Sequence, residues 1–194
     1  APENAAPNGG DGNGDGQPDA IQGDVGSTIV LLREPGLRGF LACDGQFTSE
    51  IINDTQCPQA RDVQQVDAST LAVDPIAGGN GRSWRYPLQA VRFEIPQCQQ
   101  ATVEITFHQA GFLPGVCPDF NDYQWSFRFY GPQVPGDNGT FGWYDLGSRA
   151  TRVGPKKWRL TLDAGQFGSY RPNDPANPSN NAILFVGAPA LSGD

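Results

Sequence analysis

The sequence predicts an all-β fold: an antiparallel β-sandwich with long loops, preceded by an extended N-terminal segment. Three observations carry this. Large apolar and polar residues alternate over several stretches. Gly (25) and Pro (17) recur too often in 194 residues for long helices. No segment sustains a helical period.

The β pattern begins after Ser27. Residues 28–32 form a short apolar run of strand length, and 39–42 and 47–52 follow after turn residues. The stretch 53–86 is weaker, with short strands expected near 63–66 and 70–73. Then the alternation becomes clean. Val91, Phe93 and Ile95 alternate with Arg92 and Glu94; Val103, Ile105 and Phe107 with Thr102, Glu104 and Thr106. Trp125, Phe127 and Phe129 alternate with Ser126 and Arg128; Trp158, Leu160 and Leu162 with Arg159 and Thr161. Period two with one polar face marks half-buried antiparallel strands. Residues 182–186 read as a last, fully apolar strand. Several short, turn-separated strands of this kind suggest a sandwich, with 75–82, 131–139 and 170–181 as surface loops.

Residues 1–26 differ from the rest. They are rich in Gly, Asn, Asp and Pro, with almost no large apolar side chain before Ile21. Such a segment cannot bury enough surface to offset backbone entropy unless a ligand orders it. The expected organisation is therefore a connector over 1–26 and a β-sandwich domain over 27–194.

Within the connector, Asp11-Gly12-Asn13-Gly14-Asp15-Gly16-Gln17-Pro18-Asp19 matches the D-x-[DN]-x-[DN]-G core of an EF-hand-type loop. Calcium takes six to eight hard oxygen ligands. Alternate residues of a tight turn aim the side chains of Asp11, Asn13 and Asp15 at one point. Gly16 allows the bend, the Gln17 carbonyl faces the ion, and Asp19 coordinates directly or through water. Loop position 12 is Gln22 rather than a bidentate Glu, and Asp24 is a possible replacement ligand. No amphipathic helix flanks the loop. The site therefore resembles the compact loops of thrombospondin type-3 repeats and dockerins, and its ligand deficiency fits a structural extracellular Ca²⁺ site.

Composition narrows the partners. A formal charge of −8 argues against nucleic acid, which needs clustered Lys and Arg. No stretch approaches the roughly 18 apolar residues of a transmembrane helix, so no membrane insertion is expected. The opening Ala1-Pro2-Glu3 reads as a mature exported product, and no hydrophobic tail or basic cluster closes the chain. Cys43, Cys57, Cys98 and Cys117 form no C-x-x-C motif, and their even number in an exported chain predicts two disulfides. Three connectivities are possible. Cys43–Cys57 with Cys98–Cys117 is favoured, because each bridge then closes a short loop.

No catalytic constellation stands out. His108 is the only histidine, no G-x-S-x-G elbow is present, and no carboxylate pair is singled out, so no enzyme is expected. Trp125 and Trp158 lie at strand period and are expected in the core. Trp84, Tyr86, Trp143 and Tyr144 are the candidates for an exposed ligand patch, suited to stacking on sugars.

The second half resembles a bacterial surface-protein module, the choice-of-anchor U domain. The resemblance rests on the runs 101–107 and 127–132, on Gly142-Trp143-Tyr144-Asp145, on 158–165 and on the small-residue close at 181–190. It covers residues 88–190. Members commonly carry a D-G-x-G-D-G-x-P-D stretch upstream, similar to residues 11–19 here. Gly168-Ser169-Tyr170-Arg171 stands where the family has an acidic run, and no sorting signal follows. The resemblance implies a secreted or cell-surface β domain without catalysis. Together these readings predict a calcium-stabilised subunit of an extracellular fibre or layer. It would self-associate head to tail through its N-terminal segment or a terminal strand. The alternative is a carbohydrate-binding module on a calcium-stiffened linker.

Overall fold

A computed structural model describes residues 11, 13–18, 25–27, 47–52, 57, 60–108, 125–132, 141–154, 156–164 and 182–192. The expected strands at 28–32 and 39–42, the loop at 170–181, residues 133–139 of the loop expected at 131–139, and Asp19, Asp24, Cys43 and Cys117 lie outside the described residues; Gly131, which is buried, and Pro132 end a strand instead.

The described residues form eleven strands: β1 Val25–Ser27, β2 Phe47–Ile52, β3 Arg61–Val66, β4 Trp84–Arg85, β5 Ala90–Ile95, β6 Gln100–Phe107, β7 Trp125–Pro132, β8 Phe141–Asp145, β9 Ala150–Gly154, β10 Lys157–Asp163 and β11 Ile183–Ser192. They build two sheets. The first has the order β1-β2-β6-β10-β9, and the second β3-β5-β11-β7-β8, with β4 also pairing with β11. Every strand pairing is antiparallel. The chain is an all-β sandwich, as its alternation predicts.

Period two decides what lies between the sheets. The first sheet contributes Phe47 and Ile51 from β2, Val103, Ile105 and Phe107 from β6, and Trp158, Leu160 and Leu162 from β10. The second contributes Val91, Phe93 and Ile95, Phe127 and Phe129, and Ile183 and Phe185. Phe93 stacks on Phe185 with ring centroids 5.1 Å apart, and Phe127 meets Trp158 edge-on across the sandwich at 5.5 Å. Trp158 is buried in this core and Trp125 packs against it, as their strand period implies.

Strand β11 is the spine of the second sheet and is longer than its sequence suggests. It runs through Gly187 and Pro189, two residues that normally end strands. Both have a local reason here. A Cβ on Gly187 would stand 2.5 Å from Phe185 Cζ and 2.7 Å from the Arg128 carbonyl oxygen, so only glycine lets the Phe185 ring lean along the strand. Pro189 falls between the end of the β5 pairing at Gly187 and the start of the β4 pairing at Leu191. On that side β11 has no ladder to serve, so the missing N–H costs little. Gly187→Ala forces the ring or the β7 backbone to shift. The expected cost is about 1–3 kcal/mol, the range for overpacking a core, measurable by urea denaturation.

The expected strand at 70–73 is absent. Residues Ala68–Thr70 make one 3₁₀ turn capped by Asp67, whose side chain accepts from the Ser69 N–H at 2.9 Å. The chain then runs as a strap over the outer face of the second sheet. There Ala90, Trp143 and Ala188 form a second, smaller core, joined by Val66, Leu71, Tyr86, Tyr130 and Val186. The turn at 75–82 lies on the surface, as expected. It is closed by the Ile76 N–H donating to the Arg82 carbonyl and by a bridge between Pro75 and Ser83.

One disulfide is present among the described residues, and it overturns the favoured connectivity. Cys57 pairs with Cys98, with Cα atoms 4.9 Å apart and a sequence separation of 41. Strand β2 belongs to the first sheet and β3 to the second, while β5 belongs to the second and β6 to the first. Cys57 lies on the β2–β3 crossing and Cys98 on the β5–β6 crossing. Sheet topology, not loop length, brings the two together.

Candidate functional site

The predicted calcium loop has a defined shape over its described part. The Asp11 carboxylate is wrapped by backbone donors: Oδ1 accepts from the N–H of Gly14 at 2.8 Å and of Asp15 at 3.1 Å, and Oδ2 accepts from Gly16 at 2.9 Å. Asp15 Oδ1 accepts from the Gln17 N–H at 2.8 Å, and Asn13 Oδ1 from the Asp15 N–H at 3.3 Å. The Asn13 amide donates to Asp15 Oδ2 at 3.2 Å. Gly14 and Gly16 have φ of 77° and 89°, the left-handed region that glycine enters without a Cβ penalty.

These contacts decide whether the residues fit Ca²⁺. A carboxylate offers about four acceptor positions, and the loop uses three on Asp11 to fix its own turn. Asp11 thus keeps acceptor capacity while the side chains of Asn13 and Asp15 share the same bend. All are hard oxygen donors, and the loop is largely exposed to solvent. The residues fit the ion: Asp11, Asn13 and Asp15 would hold it by side-chain oxygens and Gln17 by its carbonyl. No group of three or more His, Cys, Asp or Glu gathers among the described residues, where the loop shows two acids, Asp11 and Asp15.

The aromatic candidates do not make one exposed patch. Trp143 and Tyr144 are consecutive on β8, so they point to opposite faces. Trp143 is only 9 % exposed, in the outer core under the strap. Its indole N–H donates to the Ala72 carbonyl at 2.8 Å, and its ring stacks on Tyr86 at 4.2 Å and 19°. Tyr144 packs against the main core near Phe129, and its hydroxyl is buried with no partner among the described residues. Trp84 and Tyr86 are half-buried.

What joins Trp84 and Tyr86 is an ionic cluster that sequence reasoning missed. Asp74, on the strap, is 4 % exposed, and Arg128, on β7, is 9 % exposed. Arg128 Nη2 donates to Asp74 Oδ1 at 2.8 Å, while Arg128 Nε and the Tyr86 hydroxyl both donate to Asp74 Oδ2. The Arg128 guanidinium also lies 4.7 Å from the centroid of the Trp84 ring. A bidentate pair with a third donor and an aromatic face is among the few arrangements that offset the desolvation of a buried charge. The available signal was an arginine in the polar slot of β7, which reads equally well as a solvent-facing residue.

Burial, then the hydrogen bond to Asp74 and its charge, pushes the Tyr86 hydroxyl well above the usual tyrosine range; burial alone raises Tyr144. Both stay protonated in the native state at a pH where an unfolded tyrosine, near 10, ionises. Their contribution to stability is full below pH 10 and falls as pH rises beyond it. Absorbance at 295 nm is therefore expected to show one of the five tyrosines, Tyr86, ionising only as the fold is lost, with Tyr144 titrating later than an exposed tyrosine. Five titrating together in the folded protein would remove this assignment.

His108, after β6, is half-buried and shares a 2.7 Å hydrogen bond with Thr48 Oγ1. It is part of the packing at a strand end rather than a solvent-exposed residue. Comparison with protein-family models, with curated proteins and with solved structures returned no match.

Proposed function

We propose that this chain is an extracellular structural subunit, stabilised by calcium at its N-terminal loop, which assembles with copies of itself into a surface fibre or layer. The observation that supports the reading is the turned loop formed by Asp11 and residues 13–17, in which three backbone N–H groups organise the Asp11 carboxylate beside the side chains of Asn13 and Asp15. The resemblance of 88–190 to the choice-of-anchor U domain supports an extracellular setting, as does the Cys57–Cys98 disulfide. Strand β11 already has neighbours on both sides. This favours the N-terminal segment over β11 as the element that reaches another copy. In this reading calcium, bound at the loop, makes the acidic segment before β1 a rigid connector. The carbohydrate-binding alternative is less well supported, because Trp143 is committed to Tyr86 and Ala72.

The test combines binding and assembly. Calorimetric titration should show calcium binding that is lost in Asp11→Ala. At free calcium 100 times Kd, opening of the loop should be suppressed about 100-fold, read as slower proteolysis within residues 1–24. Negative-stain images should show filaments or sheets in calcium that disperse in EGTA. Monomeric particles at high protein concentration in calcium would count strongly against the assembly.

A further inference from the structure

Asp74 sits on the second sheet as a ligand sits in a receptor. It is 4 % exposed, while Val73 beside it is 79 % exposed and Ala72 and Pro75 are exposed as well. This part of the strap buries little besides one carboxylate. Leu71 adds an apolar contact with the outer core. Three polar contacts fix the strap. The carboxylate takes Arg128 and Tyr86, the Asp74 carbonyl accepts from the Trp84 N–H at 2.8 Å, and the Ala72 carbonyl accepts from the Trp143 indole N–H at 2.8 Å. Two of the three use main-chain carbonyls, which any residue supplies. The carboxylate is what makes the fit specific.

The receiving groups are positioned by the sheet rather than by the strap. Arg128 lies on β7, which pairs with β11 and β8, and Trp143 lies on β8. Trp84 lies on β4, opposite Ser192 of β11. Tyr86 stacks on Trp143, and the Arg128 guanidinium lies over the Trp84 ring. These contacts do not involve Asp74, so they outlast its removal. A guanidinium fork matches a carboxylate bidentately, and the aromatic face beneath it holds its orientation. The carbonyl bond from Asp74 and the antiparallel bridge between Pro75 and Ser83 lay the strap alongside β4 like an added strand. Extended peptides are recognised in this way, with main-chain bonds along a strand and a pocket for a particular side chain.

We propose that Arg128, Tyr86, Trp84 and Trp143 form a receptor for an extended peptide segment bearing an aspartate, and that the strap fills it in cis as a displaceable occupant. Three contacts define the ligand. Its carboxylate meets Arg128 and Tyr86, the carbonyl of the same residue meets the Trp84 N–H, and the carbonyl two residues earlier meets the Trp143 indole. A segment of another chain with this pattern competes against a tethered one, whose effective concentration is of order millimolar for a short linker. The strap thereby sets the affinity that such a partner must exceed. The inference depends neither on calcium nor on the assembly proposed above.

Asp74→Ala vacates the carboxylate position, and formate is the small molecule that refills it. In the full-length variant, formate titrated against sodium chloride of equal ionic strength should stabilise the fold. At ten times its Kd the unfolding constant should fall about 11-fold. Asp74→Ala/Arg128→Met should not respond. A synthetic peptide of residues 70–77 should bind the Asp74→Ala protein. Its Asp74→Asn form should bind at least about tenfold more weakly, the loss of a charge-assisted hydrogen bond. The wild-type chain supplies a measurement that needs no variant. In hydrogen exchange the Trp84 amide and the Trp143 indole N–H should show similar protection, lower than that of the β11 amides, because the strap leaves while the sandwich stays folded. Formate acting no better than chloride would overturn the receptor, as would equal binding of the two peptides. Protection at Trp84 and Trp143 equal to that of β11 would overturn the displaceable strap.

Discussion

Asp74→Ala is expected to destabilise the domain by about 3–5 kcal/mol, the cost of leaving a buried partner charge uncompensated. For a domain of this size that corresponds to a fall in Tm of roughly 6–20 °C. The reason is the geometry on the outer face of the second sheet. Both carboxylate oxygens of Asp74 accept from Arg128, and Oδ2 also accepts from Tyr86. Removing the carboxylate strands a guanidinium that is 9 % exposed, with the Trp84 ring as a remaining neighbour. It also leaves the Tyr86 hydroxyl without its acceptor. The strap is then tied to the sheet mainly by the Trp143 N–H on Ala72 and by the Trp84 N–H on the Asp74 carbonyl, both at 2.8 Å.

Two further variants separate charge from packing. Asp74→Asn keeps an acceptor for Tyr86 and loses the ion pair, so it should fall between wild type and Asp74→Ala. Asp74→Leu combined with Arg128→Met removes both charges and keeps apolar volume. It should recover much of the loss, because a buried pair replaced by packed hydrophobes is often near neutral. A cost below 1 kcal/mol for Asp74→Ala in urea denaturation would show that water reaches Arg128 and that the cluster is not a buried one.

The fold was legible where one face of a strand is apolar and the other is wet. β5, β6, β7 and β10 were readable from alternation alone, because the sandwich has one main interior and period two reports it. The reading failed where a face is covered by something other than the partner sheet. Arg128 occupies a polar slot, yet the strap from Asp67 onwards covers that slot and supplies Asp74 as its counter-charge. Trp143 looked available for a ligand for the same reason. Nothing local in 67–83 announces a covering segment, since its turns and its one proline, Pro75, are those of any surface loop. The extension of β11 past Gly187 was hidden because small residues there fit between rings rather than supplying bulk. The Asp- and Gly-rich loop lies at the other extreme. Its spacing is a local property, and the turn made by Asp11 and residues 13–17 follows from the positions of Asp and Gly alone.

Opening the Cys57–Cys98 bridge is the second large effect expected. A loop closed over 41 residues restrains the unfolded chain by about 4 kcal/mol on the chain-entropy account, against about 3 for the short loops that sequence spacing favoured. Cys57→Ala/Cys98→Ala should therefore lower Tm by roughly 8–16 °C. The bridge joins two of the connections by which the chain crosses between sheets, so its loss frees β2–β3 from β5–β6 at one end of the sandwich. The double variant is the cleaner measurement, because either single variant leaves a thiol able to exchange. The bridge also constrains the rest of the framework. With Cys57 and Cys98 joined, Cys43 has only Cys117 left as an intramolecular partner among the four cysteines. Peptide mapping without reductant should yield the 57–98 pair. Recovery of 43–57 and 98–117 peptides would overturn the topology at this end of the sandwich, because the crossing that aligns Cys57 with Cys98 would no longer hold.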